Sequence, residues 1–495
     1  MKLLVLTLLY LLAFGSHSRS QPADRQRKYS VGQLKQEVSL LKKALEEAHP
    51  SLYWYTPKKE IDDSFTLVER QIREPLTKRE FYRVLAPAIT RIRCGHTYLL
   101  MAPGEDPSVT YLPFDLWLDQ NRLYVVNNNS KDSTIQAGDE ITHINGYSID
   151  KIVRKGNSIQ SADGYNQTFK QHILNWHLLE DVAWEYFGND EPFQLTIVSA
   201  DSKPRLHAVY KKPRSTVVPA PVAKPEKIMS EVEKQTALEH QRVQDLEKTR
   251  SYKLLAETPS TALLTVNGFG YDNAEAFHQQ VFEQLNEKKI QHLLIDLRQN
   301  TGGNVLCATS LMSYLMDAPF KIVGDCWAKL QNPNNPSFNQ YFDENTKRLL
   351  SENTTYTRRE GNRFYFKTAG DDCHEPKKRH VFKGHVYLLT SGFTFSAGSL
   401  FAIALQAQRQ VTVIGQETGG GQAGCSGSII QTLTLPTTHL QLKFPLFRVP
   451  SVSNALNSGH GLIPDYVIHY RWQDKKMGKD LEIEKALELI RGQVK

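Results

Sequence analysis

Two short stretches carry residue types that could do acyl-transfer chemistry. In the first, Val386 to Leu389 read as a buried strand and Ser391-Gly392-Phe393-Thr394-Phe395 as a turn, with a helical pattern beginning near Ser396. A serine placed there has its hydroxyl clear of the core. The unpaired N–H groups of the first helical turn can stabilise a developing oxyanion. Serine is also a favoured helix cap, so this stretch alone accommodates a purely structural role. The second is Arg91-Ile92-Arg93-Cys94-Gly95-His96-Thr97-Tyr98-Leu99, where a helix breaks at Gly95 and a strand begins. His96 sits at that junction, as a structural histidine or as a base.

The elements that must position these residues follow from periodicity. Residues 31–49 carry Leu34, Val38, Leu41 and Leu45 at helical spacing and end at Pro50; residues 61–72 and 78–92 continue the pattern. From 108 to 210 short β-rich runs at 123–126, 193–198 and 205–210 alternate with turns. Gly138-Asp139 and Asn145-Gly146 frame a hairpin, which is either ordinary or the edge of a peptide-gripping sheet. Residues 152–188 read as helical, with Trp176 and Trp184 as core residues. The stretch 211–250 holds Pro213, Pro219, Pro221 and Pro225 and then a charged run, and reads as a semi-rigid linker.

Beyond 260, strand (262–266), helix (274–285), strand (290–297) and helix (305–316) alternate, which implies α/β layering with parallel strands. Residues 319–380 read as a polar, aromatic insertion. A strand at 411–414 leads to Glu417-Thr418-Gly419-Gly420-Gly421. Runs at 428–435 and 439–444 form a hairpin, and Gly461-Leu462-Ile463-Pro464-Asp465 opens a last strand before a helix at 481–490.

The 495 residues exceed one ordinary core. The net charge of +7 lacks a basic helix interleaved with aromatics, so nucleic-acid binding is not expected. Met1-Lys2, an apolar run at 3–14 and small polar residues at 15–20 read as a secretory signal peptide. The mature chain is then expected outside the cytoplasm, with no integral membrane segment. Cys94, Cys307, Cys326, Cys373 and Cys425 include no CxxC pair, so no metal is expected. Cys326 and Cys373 could pair in an oxidising compartment, the odd count leaving a free thiol. Asn128, Asn166 and Asn353 lie in sequons.

Together these pieces resemble the C-terminal processing (tail-specific) serine peptidases, the family that includes the tricorn core protease. Asp296-Leu297-Arg298-Gln299-Asn300-Thr301-Gly302-Gly303 is similar to DLRxNxGG, and Ser391 to Ser399 to the nucleophile segment, with Ser396-Ala397 on its Ser-Ala. Gly415 to Gly421 resembles the GExTxGKG loop, Gly461 to Asp465 the late GxxPD, Gly95-His96-Thr97 the DGHT segment, and Gly138 to Gly146 a PDZ-like run. The resemblance implies Ser396 as nucleophile and Gly302, Gly303 and Ala397 as oxyanion donors. The two glycines also leave room for a peptide backbone. The lysine base of the processing peptidases falls on Gly421, so a Ser-Lys dyad is not expected. The tricorn-like branch uses a histidine where His96 stands. Cys94 replaces the usual Asp, and the third member is left between Glu417 and Asp465, with His460 an extra.

The expected fold is α/β: signal peptide 1–20, helical segment 21–106, PDZ-like domain 107–210, linker 211–250, crotonase-like (ClpP-like) catalytic domain 251–475 and C-terminal helix 476–495. The expected function is an exported serine endopeptidase acting on polypeptide, without metal or organic cofactor, and with oligomerisation left open. The alternatives are a non-catalytic binding protein for a peptide or small hydrophobic ligand, as in the family's retinoid-binding relatives, and a hydrolase of another acyl substrate such as an ester.

Overall fold

The computed structural model describes residues 27–101, 110–175, 182, 186, 192–199, 203–210, 212–213, 249–256, 258, 260–270, 273–332, 337–342, 355–367, 372–453 and 458–493. The signal-peptide stretch, Trp176, Trp184, Asn353 and most of 211–250 lie outside these. The chain is a mixed α/β protein with several sheets.

The sheet that matters most runs in the order Arg250–Leu254, Thr261–Val266, His292–Asp296, His385–Thr390, Thr412–Gly415, Tyr466–Val467; all but the first pair are parallel. Its central strands are apolar almost throughout because both faces are covered. Helices Ala274–Glu287, Val305–Ser313 and Ala397–Gln408 pack on one face, and Ala486, Leu487 and Ile490 of the closing helix on the other. The strands His292–Asp296 and His385–Thr390 are neighbours, so the loops after them emerge side by side at their carboxyl ends. That end of a parallel sheet is where ligand sites form.

A second, antiparallel sheet runs Thr355–Glu360, Arg363–Lys367, Trp327–Ala328, Gln441–Pro450, Gly424–Thr434, with Tyr98–Leu100 also pairing to Gln441–Pro450. The stretch 319–380 therefore supplies three strands to the sheet behind the site, where its polar, aromatic composition had suggested an insertion. Alternating Phe364 and Phe366 explain this, since one face of these strands joins a core.

The helices Val31–Ala48, Lys58–Gln71 and Lys78–Thr90 form as expected, two of them opened by capping boxes (Ser30 with Gln33, Thr77 with Glu80). They share one core with the hairpin sheet. Buried Glu37 fastens the two: its carboxylate accepts from the N–H groups of Thr437 and Thr438 at 2.6 and 2.9 Å and from Thr438 Oγ1 at 2.7 Å. Glu37→Ala leaves three donors unpaired and is expected to cost on the order of 2 kcal/mol, read as a lowered urea midpoint at unchanged slope. An unchanged midpoint would contradict it.

A third sheet, in the order Pro204–Val209, Phe193–Val198, Glu140–Ile144, Arg122–Asn128, Phe114–Asp119, has the expected hairpin turn, with Asn145 and Gly146 at φ of 49° and 77°. The helical reading of 152–188 needs correction. A helix covers Ile149–Ile159 and a short one Thr168–Ile173, with irregular chain between them. The apolar spacing concealed the turn signals Asp163-Gly164 and Tyr165-Asn166.

All five cysteines are free. Cys326 is buried and Cys373 exposed, so the pairing raised from sequence does not form.

Candidate active site

Ser396 sits immediately before the helix Ala397–Gln408 with φ 51° and ψ −125°, a conformation that non-glycine residues rarely adopt. Its side chain makes no capping hydrogen bond. The capping role that the sequence also allowed is therefore not the one it plays.

The surrounding chain over-determines this strain. Thr394 Oγ1 donates to the Leu297 carbonyl at 2.8 Å, Ser391 Oγ to the Arg298 carbonyl at 2.5 Å, and the Phe395 N–H to the Asn300 carbonyl at 2.9 Å. The nucleophile turn is thus laced to the DLRxNxGG-like loop, whose Asn300 reaches the Val266 carbonyl with Nδ2 at 2.9 Å. A Cβ on Gly398 would stand 2.5 Å from the Asn300 carbonyl oxygen, so the helix can start here only with glycine at that position.

The glycine pair divides its work. Gly302 lies against the serine: a Cβ there would be 2.7 Å from Ser396 Cβ and 3.0 Å from the Ala397 nitrogen. Its N–H, however, donates to Asn300 Oδ1 at 2.9 Å. The N–H that the resemblance offered as an oxyanion donor is thus already engaged by the Asn300 side chain. Gly303 and Ala397 donate no backbone hydrogen bond among the described residues. Their N–H groups are the two left for an oxyanion.

His96 comes to the same place from the other end of the chain. Its ring stacks on Phe395, the residue before the serine, with centroids 4.5 Å apart and planes at 27°. Gly95 makes the approach, since a Cβ there would meet the Phe395 ring at 2.7 Å. Burial pushes the His96 pKa down to about 4, so the ring is neutral near pH 7 and able to accept a proton. Its Nδ1 is buried without a partner among the described residues, and no hydrogen bond yet joins it to Ser396. Such bonds commonly tighten only with substrate present.

Neither carboxylate weighed as third member reaches His96. Glu417 Oε1 accepts from Asn166 Nδ2 (2.9 Å) and Gly461 N (2.8 Å) and lies 3.1 Å from His460 Nδ1, so it pins one loop to two others. Asp465 Oδ2 accepts the Val413 N–H at 2.8 Å, a strand-end role.

The position of the processing peptidases' lysine is Gly421. A Cβ on it would be 3.2 Å from Tyr55 Oη and 4.0 Å from Asp163 Cβ, so other side chains already occupy the space beside it.

Asp163 was missed from sequence. It is buried, its Oδ1 accepts the Gly95 N–H at 2.7 Å and its Oδ2 the Gly421 N–H at 3.4 Å. The available signal was the Asp-Gly turn within an assumed helix. Asn166 is also committed: Nδ2 donates to Glu417 and to the Thr418 carbonyl, while Oδ1 accepts the Phe169 N–H at 2.8 Å. Its sequon is inaccessible in the folded chain. Among the described residues no group of side chains could hold a metal ion, and no helix is long and apolar enough to cross a membrane.

Residues 260–468 match the model of peptidase family S41. Among solved structures, mature CPAF complexed with lactacystin superimposes with a TM-score of 0.63 at 13% identity, over 94% of this chain and 98% of that one. Mature CPAF alone gives 0.60 at 14% identity, over 90% and 94%. These identities speak to a shared fold. The photosystem II D1 C-terminal processing protease aligns over 88% of this chain and 93% of its own at 13% identity, with a TM-score of 0.39. The match over residues 260–468 is to peptidase family S41, and the chain is a serine-type peptidase.

Proposed function

We propose that the chain is an exported endopeptidase that hydrolyses unfolded or C-terminally exposed polypeptides through Ser396 and His96. Ser396 Oγ attacks the scissile carbonyl carbon while His96 takes the hydroxyl proton. The tetrahedral oxyanion is met by the N–H groups of Ala397 and Gly303. Collapse of the intermediate breaks the C–N bond, and His96 returns the proton to the leaving amine. Water, deprotonated by His96, then releases the acyl group and restores the serine.

The observation that carries this reading is the strained Ser396 at φ 51°, held by two loops with the Gly302 backbone against it. Strain of this kind costs about 1–3 kcal/mol and persists where the site needs it. Neutral His96 one residue away along the packed surface supports the assignment of the base. The six-stranded antiparallel sheet is read as PDZ-like, a second place to hold an extended peptide, and the parallel layer as crotonase-like. Export rests on the apolar run at 3–14.

The test is turnover of an unstructured protein by the mature chain, with fluorophosphonate labelling. His96→Ala is expected to lose labelling and hydrolysis by several orders of magnitude while keeping its fold. Full labelling of that variant would move the base elsewhere, His460 being the next to replace because it has Glu417 beside it. A wild type that neither labels nor hydrolyses would favour ligand carriage without turnover.

A further inference from the structure

The loop 161–167, between the helices Ile149–Ile159 and Thr168–Ile173, and the first residues of the second helix touch the His96 turn, the 417–421 loop, Gly459 and the residue before Ser396. The Gly164 N–H donates to the Arg93 carbonyl at 2.9 Å, and the Tyr165 N–H to the Gly459 carbonyl at 2.7 Å. Asn166 reaches Glu417 and Thr418, and Thr168 Oγ1 donates to the Glu417 carbonyl at 2.8 Å. Phe169 stacks on Phe395 with centroids 4.6 Å apart. At the centre of these contacts is one carboxylate.

Resting on the Ser396–His96 reading above, we infer that Asp163 is a positioning residue of the catalytic site. Its two carboxylate oxygens hold the turn that carries His96 against the loop 419–421 that lies over Ser396. Oδ1 takes the N–H of Gly95, the residue before His96, and Oδ2 takes the N–H of Gly421. The second loop is itself tied to the nucleophile turn, because the Gly419 N–H donates to the Thr394 carbonyl at 2.9 Å and a Cβ on Gly420 would stand 3.4 Å from the Ser396 nitrogen. Asp163 therefore sets the spacing between base and nucleophile without touching either. Gly421 makes this possible, since a lysine there would contend with Tyr55 and Asp163 for the same space.

Both N–H groups are held more strongly when the carboxylate is charged, the shorter bond to Gly95 at 2.7 Å and the longer to Gly421 at 3.4 Å. The titratable and charged groups facing this region are Tyr55, Cys94, His96, Cys425 and Arg448. Burial pushes Asp163 up to about 6, against the N–H groups of Gly95 and Gly421 and the Arg448 charge, which favour the anion. Burial likewise holds the Cys94 and Cys425 thiols protonated, Cys94 at about 12. Of the groups facing the site, Asp163 is then the one whose charge changes near pH 6, while His96 stays neutral down to about 4. The sign for stability runs opposite to that for activity. A carboxyl raised above its unfolded value binds its proton more tightly in the folded chain, so this group destabilises the fold as pH rises from about 4 to about 6.

The experiment is fluorophosphonate labelling of Ser396 and peptide turnover between pH 4 and 8, in the wild-type chain, Asp163→Asn and Asp163→Glu, with each unfolding midpoint measured. Asp163→Asn presents an NH₂ to one of the two N–H donors. Labelling at pH 7.5 is expected to slow by about 10²-fold, the scale on which a small misplacement of reacting groups costs rate. The loss should fall in kcat rather than KM, and the acid limb near pH 6 should disappear. Asp163→Glu, which keeps the charge on a longer arm, should retain the limb at a reduced rate. A folded Asp163→Asn with wild-type rates, or an acid limb near 6 that persists in it and so belongs to His96, overturns the inference and leaves the peptidase reading intact. If Asp163→Asn does not fold, Asp163→Glu decides, and wild-type labelling by that variant overturns the inference. A wild type inert at every pH overturns both.

Discussion

Ser396→Ala is expected to lower kcat for peptide hydrolysis on the order of 10⁶-fold, with the unfolding midpoint unchanged. The size of the loss follows from the role proposed for the hydroxyl, which is to form the acyl bond. The small effect on stability follows from the packing. Ser396 makes no capping hydrogen bond, and alanine meets the same backbone strain at φ 51° that serine does. Removing the hydroxyl therefore opens no buried partner. The N–H groups of Ala397 and Gly303, which have no backbone acceptor among the described residues, remain, so under the proposed mechanism a small residual rate over water should survive. The check is a progress curve with freshly purified variant beside a circular-dichroism melt. Retention of more than about a hundredth of the wild-type rate would mean that another nucleophile does the work.

Gly302→Ala should be damaging by a different route. Gly302 has φ 111°, which a residue with a Cβ scarcely adopts, and the added methyl would lie 2.7 Å from Ser396 Cβ. The backbone term alone is about 1–3 kcal/mol. The steric term cannot be relieved by a rotamer change, because the atoms met are a Cβ, the Ala397 nitrogen and the Phe395 carbonyl oxygen. The serine turn must shift, and a displacement of about an ångström costs on the order of 10²-fold in rate. Activity should consequently fall at least 10²-fold, while the unfolding midpoint drops by only a few degrees. Gly303→Ala makes a contrast: its Cβ would meet the Phe269 carbonyl at 2.4 Å, away from the serine, so stability should suffer more and any loss of rate would come through its own N–H rather than through the serine turn. Wild-type kcat/KM in Gly302→Ala would remove the case that this glycine gives the nucleophile its clearance.

Much of the parallel layer was legible because its signals are local. Strands buried on both faces show as unbroken apolar runs, and glycine-rich loops after two of them mark the carboxyl edge of the sheet. The N-terminal helices were equally plain from their apolar stripes. Legibility failed where a segment's partners were distant in the chain. The stretch 319–380 looked like an insertion because its strands pair with Gln441–Pro450 and with one another, and composition does not reveal pairing. The loop 161–167 was read into a helix because Ile152, Val153 and Phe169 fall at compatible spacings. Its hydrogen bonds go to Gly95, Glu417, Gly421 and Gly459, all far off in sequence.

The sequence by itself determined which residue types stand at each edge: a serine opening a helix, two glycines after a strand, a histidine after a helix break, and no lysine where a Ser-Lys site needs one. The tertiary structure alone decided how they are used. It gave the Gly302 N–H to Asn300, took Glu417 and Asp465 away from His96, and buried Asp163 between the His96 turn and the loop over Ser396. The physical reason is that a hydrogen-bonding group has more candidate partners than it can satisfy. Only the packed chain, with water excluded, selects among them.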